Sequence, residues 1–100
     1  MKMSNFNQNS LSEIVKLIKK KKVSSLEITN YFIKNIEKGK KLNSFITTCV
    51  DESLKKAKNF DQQGNADGLL PGVPLAVKDL FCTKDIKTTA GSKILQNFVP

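Results

Sequence analysis

The sequence contains no arginine and no histidine, and only two cysteines. Without histidine, these residues cannot build a histidine-based metal site or a Ser-His-Asp catalytic triad. Cys49 and Cys82 are too few and too far apart for a metal site or a disulfide framework, so we expect reduced cysteines in a cytoplasmic protein. Arginine is the usual side chain for bidentate recognition of phosphate and guanine, and its absence argues against a dedicated reader of nucleic acid.

Long apolar runs are also missing from the sequence. No run approaches the roughly 20 residues needed to span a bilayer, and residues 1–9 lack the apolar segment of a secretory signal. Hydrophobic residues make up 39% of the chain and charged residues 26%, which is typical of a globular protein. Because 100 residues allow one domain at most, we expect no internal domain boundary within residues 1–100.

Lysine, by contrast, is abundant. The chain has 17 basic side chains, all of them lysines, and a net charge of +8, which attracts nucleic acid or an acidic surface in a general way. The run Lys19–Lys22 lies where a first helix should end, and cations suit the negative end of the helix dipole. We interpret this run as a solvated helix end. A small basic RNA-binding module that uses the lysine-rich helices is the alternative from another functional class.

Two capping boxes predict the first two helices. Ser10 with Glu13 opens the first helix, whose apolar stripe at helical spacing consists of Leu11, Ile14, Val15 and Ile18. Ser24 with Glu27 opens the second helix, which should end at Gly39 in a left-handed conformation. Val23 and Ile28 are placed to form a hydrophobic staple across the cap. The side chains of this helix that should face the core are Ile28, Tyr31, Phe32 and Ile36.

The middle of the chain predicts a strand, a helix and a loop. Residues 43–50 are rich in β-branched and aromatic side chains and predict a strand in which Cys49 is a small core residue. Asp51 is placed to cap a third helix. Its apolar side consists of Leu54, Ala57 and Phe60. Residues 61–68 are polar and contain glycine, which predicts a loop.

The stretch Pro71–Phe81 places a lysine inside a short apolar run bounded by proline and glycine, which predicts a strand. Successive strand side chains point to opposite faces, so Lys78 should share its face with Ala76 and Leu80 while Asp79 points away. An ammonium among hydrocarbon loses hydration, which favours the neutral amine and makes Lys78 a candidate base at neutral pH. The alternative interpretation is that Lys78 ends the strand and extends its charge into water.

Two motifs, in this order, resemble the amidase-signature enzymes. The first is Gly72-Val73-Pro74-Leu75-Ala76-Val77-Lys78-Asp79, and the second is Thr88-Thr89-Ala90-Gly91-Ser92. The likeness runs from about Leu11 to the last residue, and it is greatest to members that hydrolyse glutamine for tRNA-dependent amidotransferases. The resemblance implies an α/β fold with a mixed sheet flanked by helices. Residues 1–100 would form the amino-terminal portion of a single such domain, which is incomplete at this length.

The family resemblance also implies a catalytic role for Lys78. Members use two serines, one of them with an unusual cis peptide bond, and a lysine that corresponds to Lys78 and acts as the neutral base at the far end of a proton relay. Both serines lie in a Gly/Ser-rich downstream segment that does not occur before Pro100, so this chain alone is expected to be inactive. Ser92 is better explained as the cap of a helix that carries Ile94, Leu95 and Phe98.

The activity implied by the resemblance is the glutaminase step of an amidotransferase. Glutamine hydrolysis would release ammonia for the B subunit of the complex, which uses ATP and magnesium to amidate the misacylated Glu-tRNA(Gln) or Asp-tRNA(Asn). The C subunit would be the remaining partner. No cofactor, metal or membrane contact is expected for residues 1–100. The alternative within the family is a free-standing amidase that hydrolyses small amides without tRNA or ATP.

Overall fold

The computed structural model describes residues 5–64 and 67–100, and its regular elements are helical. The three α-helices are α1 (Leu11–Lys19), α2 (Ser25–Lys38) and α3 (Val50–Gln63). Single 3-10 turns occur at Phe6–Gln8, Lys40–Leu42 and Lys93–Leu95. None of the helices in the described ranges is long and apolar enough to cross a membrane.

Helix α1 begins at the predicted capping box. The Ser10 hydroxyl accepts a hydrogen bond of 3.2 Å from the Glu13 amide, and the Glu13 carboxylate accepts one of 2.8 Å from the Ser10 amide. These contacts satisfy two amides that have no partner within the helix. Ile14 and Ile18 are buried as predicted, whereas Leu11 is 49% exposed and Leu17 packs against the core instead.

Helix α2 is capped from two directions. The Ser24 hydroxyl accepts a hydrogen bond of 3.0 Å from the Glu27 amide, which confirms one half of the predicted capping box; the reciprocal bond from the Ser24 amide to Glu27 is not formed. A carboxylate from another helix, that of Asp61 in α3, also caps the amino end of α2. It accepts hydrogen bonds of 2.9 Å and 3.0 Å from the amides of Ser25 and Leu26. Because the carboxyl end of α3 meets the amino end of α2, the two packed helices run antiparallel.

The core forms around α1, α2 and the residues before them. Its buried members are Phe6, Ile14, Ile18, Val23 and Ile28. Partly buried residues that pack on this cluster are Leu17, Tyr31, Phe32, Phe60 and Val73. The ring of Tyr31 meets Phe6 and Phe32 edge to face, with centroid distances of 5.0 Å and 5.3 Å. Phe60 brings α3 to this core, and Val73 brings the lysine-containing motif to it.

The ends of α2 and α3 differ in detail from the sequence predictions. Helix α2 ends at Gly39 as expected, but Gly39 has a φ of −92°, and the left-handed conformation occurs at Asn43 after the intervening 3-10 turn. Helix α3 follows Cys49, which makes no side-chain cap, so the prediction that Asp51 caps this helix is wrong. The helix continues to a left-handed Gly64 and takes in the first part of the predicted loop. Residues 65 and 66 of that loop lie outside the described residues, as do residues 1–4 at the amino terminus.

The predicted strands are not formed. Residues 43–49 and 73–78 have no regular secondary structure, and the bridge between Thr83 and Ile86 is the sole β-type pairing in the described ranges. A lone strand leaves its amide and carbonyl groups unpaired, so an extended segment needs a neighbour to become part of a sheet. These residues supply no such neighbour. The mixed sheet expected from the family resemblance is therefore not present in the described part of the chain.

The helix predicted after Ser92 is reduced to one 3-10 turn. Ser92 caps it as expected, because its hydroxyl accepts a hydrogen bond of 3.2 Å from the Ile94 amide. Ile94 is 92% exposed and Phe98 is 42% exposed, so these side chains find little apolar surface to pack against among the described residues. Helices of this length owe most of their stability to such packing, and without it the turn does not propagate.

Candidate functional site

Lys78 lies on the surface, at the end of the irregular segment 73–78. Its carbonyl accepts a hydrogen bond of 3.1 Å from the Phe81 amide, which closes a turn directly after it. Ala76 and Leu80, the predicted apolar neighbours, are exposed as well. The described residues therefore do not supply the hydrocarbon surroundings that the sequence predicts for the Lys78 amine.

The amino end of the lysine-containing motif is fixed to the helices at Gly72. The buried Ser25 hydroxyl, at the start of α2, donates a hydrogen bond of 2.6 Å to the Gly72 carbonyl. Gly72 has a φ of +68°, and a Cβ atom there would lie 2.8 Å from two ring carbons of Phe60. Only glycine satisfies both the left-handed conformation and this close approach at no steric cost.

The carboxyl end of the motif is fixed by Asp79, which joins it to the second motif. One carboxylate oxygen accepts a hydrogen bond of 2.9 Å from the Thr89 amide. The other accepts from the Thr89 hydroxyl and, at 3.3 Å, from the Gly91 amide. The main-chain carbonyl of Asp79 accepts a further bond of 2.9 Å from the Ala90 amide. The Asp79 carboxylate is thus engaged by the second motif, which agrees with the expectation that it is not the ion-pair partner of Lys78.

The turn that receives Asp79 has an uncommon backbone. Ala90 and Gly91 both have positive φ values, of +50° and +70°. Successive amides in such a conformation point to one side and form a concave site for an anion, which is filled here by Asp79. The Thr89 hydroxyl, the amides of Thr89 and Gly91 and the nearby Lys87 ammonium all favour the ionised carboxylate, so they lower the pKa of Asp79 below its usual value.

Further contacts hold this turn in place from behind. Thr88 and Thr89 are each 5% exposed. The Thr88 amide donates a hydrogen bond of 3.0 Å to the Phe98 carbonyl, and the Asp85 amide donates one of 2.9 Å to the Pro100 carbonyl. The last residues of the chain therefore return beside the second motif and support it.

Two surface depressions lie near the second motif, and neither is lined by Lys78. One, of about 180 Å³, is bordered by Thr89, Gly91 and Ser92. The other, of about 260 Å³, lies between the start of α3 and residues 85–87. The described residues contain no group of three or more histidine, cysteine, aspartate or glutamate side chains that could hold a metal ion.

The sequence predicted the two motifs of this site but not the contacts that hold them. It indicated no role for Ser25, which binds the first motif, or for Asp61, which binds Ser25, and it did not predict that Thr89 of the second motif binds Asp79 of the first. One signal for Asp61 was available, since a carboxylate near the carboxyl end of a helix is unfavourable for the helix dipole and indicates a partner elsewhere. Lys78 therefore lies on a segment that is held at one end through Gly72 and at the other through Asp79.

Comparison with protein families identifies the region that contains both motifs. The model of the family described as Amidase matches residues 27–100, a range that includes both motifs, Asp79 and its partners in the turn. No solved structure matches the chain.

Curated relatives match almost the whole chain. It is 59% identical over 98 residues to the A subunit of the glutamyl-tRNA(Gln) amidotransferase of Pelagibacter ubique, in an alignment that covers 98% of the chain and 20% of that protein. The protein of the same name from Rickettsia bellii is 45% identical, again with 98% of the chain and 20% of the relative covered. For the one from Nitrosococcus oceani the values are 43% identity, 92% of the chain and 20% of the relative. The chain thus spans about a fifth of the length of the curated relatives it matches.

Proposed function

The chain belongs to the amidase family, and we propose that it is the amino-terminal part of the glutamine-hydrolysing subunit of a tRNA-dependent amidotransferase. The observation that carries the proposal is the 59% identity over 98% of the chain to a protein named as the A subunit of such an enzyme. Relatives from two other organisms that carry the same name support it.

In this proposal Lys78 is the general base of a triad whose two serines lie outside residues 1–100. The lysine accepts a proton through a bridging serine, so that the second serine can attack the side-chain amide of glutamine. Residues 1–100 would supply only this base, and the chain alone would be inactive. Because Lys78 is exposed here, the apolar surroundings that favour the neutral amine would come from other parts of the complete protein.

The other parts of the complete protein would also cover the exposed apolar side chains around Lys78. Apolar side chains on both sides of Lys78 are exposed, among them Leu75 at 72% and Phe81 at 60%. Exposed apolar residues at this density suit a segment that packs against further structure. In the complete protein, residues 43–50 and 71–81 would take their places in the mixed sheet of an amidase-signature fold.

The released ammonia would pass to a partner, the B subunit, which would use ATP and magnesium to activate the misacylated tRNA. The C subunit would be the third member of the complex. This division of labour gives the test of Lys78. In the assembled complex, Lys78→Ala removes the base and should lower glutamine hydrolysis by at least about 100-fold. Lys78→Arg should fare no better, because a guanidinium stays protonated and cannot accept the proton.

Two controls make the measurement specific. Lys84→Ala removes another exposed lysine of the same region and should leave glutamine hydrolysis near the wild-type rate. Amidation of the misacylated tRNA with ammonium in place of glutamine should survive in both Lys78 variants. If Lys78→Arg kept most of its glutaminase activity, the lysine would be a structural charge and the proposed mechanism would be wrong. Amide hydrolysis that needs Lys78 but supports no tRNA amidation would instead identify a free-standing amidase.

A further inference from the structure

We propose that Asp79 is the positioning residue for Lys78, and that it acts through Thr89 and the turn that follows Thr89. The inference rests on the proposed function of Lys78 as a base and adds a second residue to that site. Asp79 itself would touch neither substrate nor the reacting atoms.

The first argument is the number of contacts that converge on Asp79. Three consecutive residues donate four hydrogen bonds to it. Thr89, through its amide and its hydroxyl, and Gly91 donate to the carboxylate, and Ala90 donates to the main-chain carbonyl. The Thr89 hydroxyl has a double task, because it donates to Asp79 and accepts a bond of 3.2 Å from the Gly91 amide. Both the side chain and the backbone of Asp79 are thereby fixed. Its position next to Lys78 transmits that restraint across one peptide bond.

The second argument is that the receiving turn depends on the carboxylate. Ala90 has a φ of +50°, a conformation that is unfavourable for a residue with a Cβ atom. Such a conformation persists where the surrounding contacts hold it. The Asp79 carboxylate binds the amides on either side of Ala90, so the turn and the carboxylate stabilise each other. Thr89 is 5% exposed, so water has little access to its side of this contact.

The third argument is that little else in the described residues restrains Lys78. The segment 73–78 has no strand neighbour among the described residues, and the nearest fixed points before Lys78 are Gly72, which is bound to Ser25, and Val73, which packs on the core. The apolar side chains of Val77 and Leu80 are 58% and 51% exposed, so packing does not fix them. Among the described residues, the contact made by Asp79 is therefore the closest tertiary restraint to the lysine. A general base that is displaced by even 1 Å can lose about 100-fold in rate.

The test compares variants of the complete protein, assembled with its partners. Asp79→Asn preserves the shape of the side chain and removes one of the two acceptor oxygens. We expect kcat for glutamine hydrolysis to fall by about 10- to 100-fold, with KM changed by less than about threefold, because the base is misplaced while substrate contacts remain. Thr89→Val removes the hydroxyl at constant shape and should lower kcat in the same way. Thr89→Ser restores the hydroxyl and should recover most of the rate.

Two comparisons distinguish positioning from a general loss of structure. Thr83→Val removes a hydroxyl from the neighbouring loop, where it bonds to the Phe81 carbonyl and not to Asp79, and should leave kcat unchanged. Amidation of tRNA with ammonium, measured on the same assembled complexes, should be unaffected in every variant, because it needs an intact complex but not the base. The double variant Asp79→Asn/Thr89→Val should be no slower than the slower single variant, since both substitutions disrupt the same contact between the Thr89 hydroxyl and the Asp79 carboxylate.

The outcomes separate this inference from the proposed function. If Lys78→Ala abolishes glutamine hydrolysis while Asp79→Asn stays within about twofold of wild type, Asp79 does not position the base, and the function of Lys78 stands. Equal losses of the glutamine-dependent and ammonium-dependent activities would mean that Asp79 only maintains the fold, which overturns the inference. If Lys78→Ala remains active, the proposed function fails, and the role of Asp79 fails with it.

Discussion

The hydroxyl of Ser25 donates a hydrogen bond of 2.6 Å to the carbonyl oxygen of Gly72, across 47 residues of sequence. Ser25 begins α2 and is 1% exposed, so this partly buried bond joins the helices to the start of the lysine-containing motif. Its own amide is bound by Asp61 of α3. One serine thereby links α2, α3 and the segment that leads to Lys78.

Removal of this hydroxyl should destabilise the protein. Ser25→Ala leaves the partly buried carbonyl of Gly72 without its donor, and we expect the free energy of unfolding to fall by about 1–3 kcal/mol. Ser12→Ala provides the control, because Ser12 is an exposed residue of α1 and its replacement should be within about 0.5 kcal/mol of wild type. Denaturant titration of the complete protein measures both. Equal stability of the two variants would contradict a structural role for the Ser25 hydroxyl.

Three glycine-to-alanine substitutions should lower the free energy of unfolding by different amounts, least at Gly39, more at Gly64 and most at Gly72. Gly39 has a negative φ and ordinary contact distances, so Gly39→Ala should change stability by less than about 1 kcal/mol. Gly64 has a φ of +66° and open space around it, so Gly64→Ala should cost about 1–2 kcal/mol for the left-handed conformation alone. Gly72→Ala combines the same conformation with a clash against Phe60, which adds about 1–3 kcal/mol.

The unfolding free energies of these variants test the contact with Phe60 directly. The variant Phe60→Leu makes room beside Gly72, so it should reduce the difference between Gly72→Ala and Gly64→Ala. A Gly72→Ala variant as stable as Gly64→Ala in the wild-type background would show that the ring moves away at no cost, and would remove the steric reason for glycine at this position.

The contribution of Asp79 to stability should depend on pH. Because its folded-state pKa is lowered by Thr89, Gly91 and Lys87, its hydrogen bonds should contribute fully above the unfolded value of about 3.9. The contribution should then be lost as the pH falls below that value and through the lowered pKa. The stability difference between wild type and Thr89→Val should accordingly be larger at pH 6 than at pH 3, as measured by denaturant unfolding.

Glu13 provides an internal reference for this measurement. Its pKa is also lowered, mainly by the Ser10 amide, but Thr89→Val does not touch this capping box. The effect of pH on Glu13 should therefore cancel when the unfolding free energy of Thr89→Val is subtracted from that of the wild type. A difference that stayed constant from pH 6 to pH 3 would argue that Thr89 does not interact with the ionised form of Asp79.

Residues 1–100 expressed alone should associate or remain partly molten. Large apolar side chains beyond α3 are strongly exposed, including Leu69 at 90%, Leu75 at 72% and Ile94 at 92%. Patches of this kind promote association when no partner covers them. We expect hydrogen exchange to be slow in α1 and α2, which contain the core, and fast in residues 69–100. Replacing Leu69 and Ile94 with glutamate should reduce association, whereas cooperative unfolding with protected amides throughout residues 69–100 would contradict this prediction.

The sequence alone determined those features in which a residue acts on a close neighbour. The capping box of Ser10 and Glu13, the Ser24 cap and the Ser92 cap each join residues two or three positions apart. The apolar spacing of α1 and α2 likewise specifies which side faces the core, because helix geometry is local. The two motifs around Lys78 and Thr89 were also recognisable without the structure, and they led to the family that the comparisons show.

The tertiary structure decided what depends on distant partners. Asp61 caps α2 from 36 residues away, and Ser25 binds Gly72 from 47 residues away. The Asp79 carboxylate binds Thr89, ten residues further along the chain, and not its neighbour Lys78. The two predicted strands failed for the same physical reason. A helix satisfies its backbone hydrogen bonds within its own segment, whereas a strand needs a neighbouring one, and residues 43–50 and 71–81 find none among the described residues.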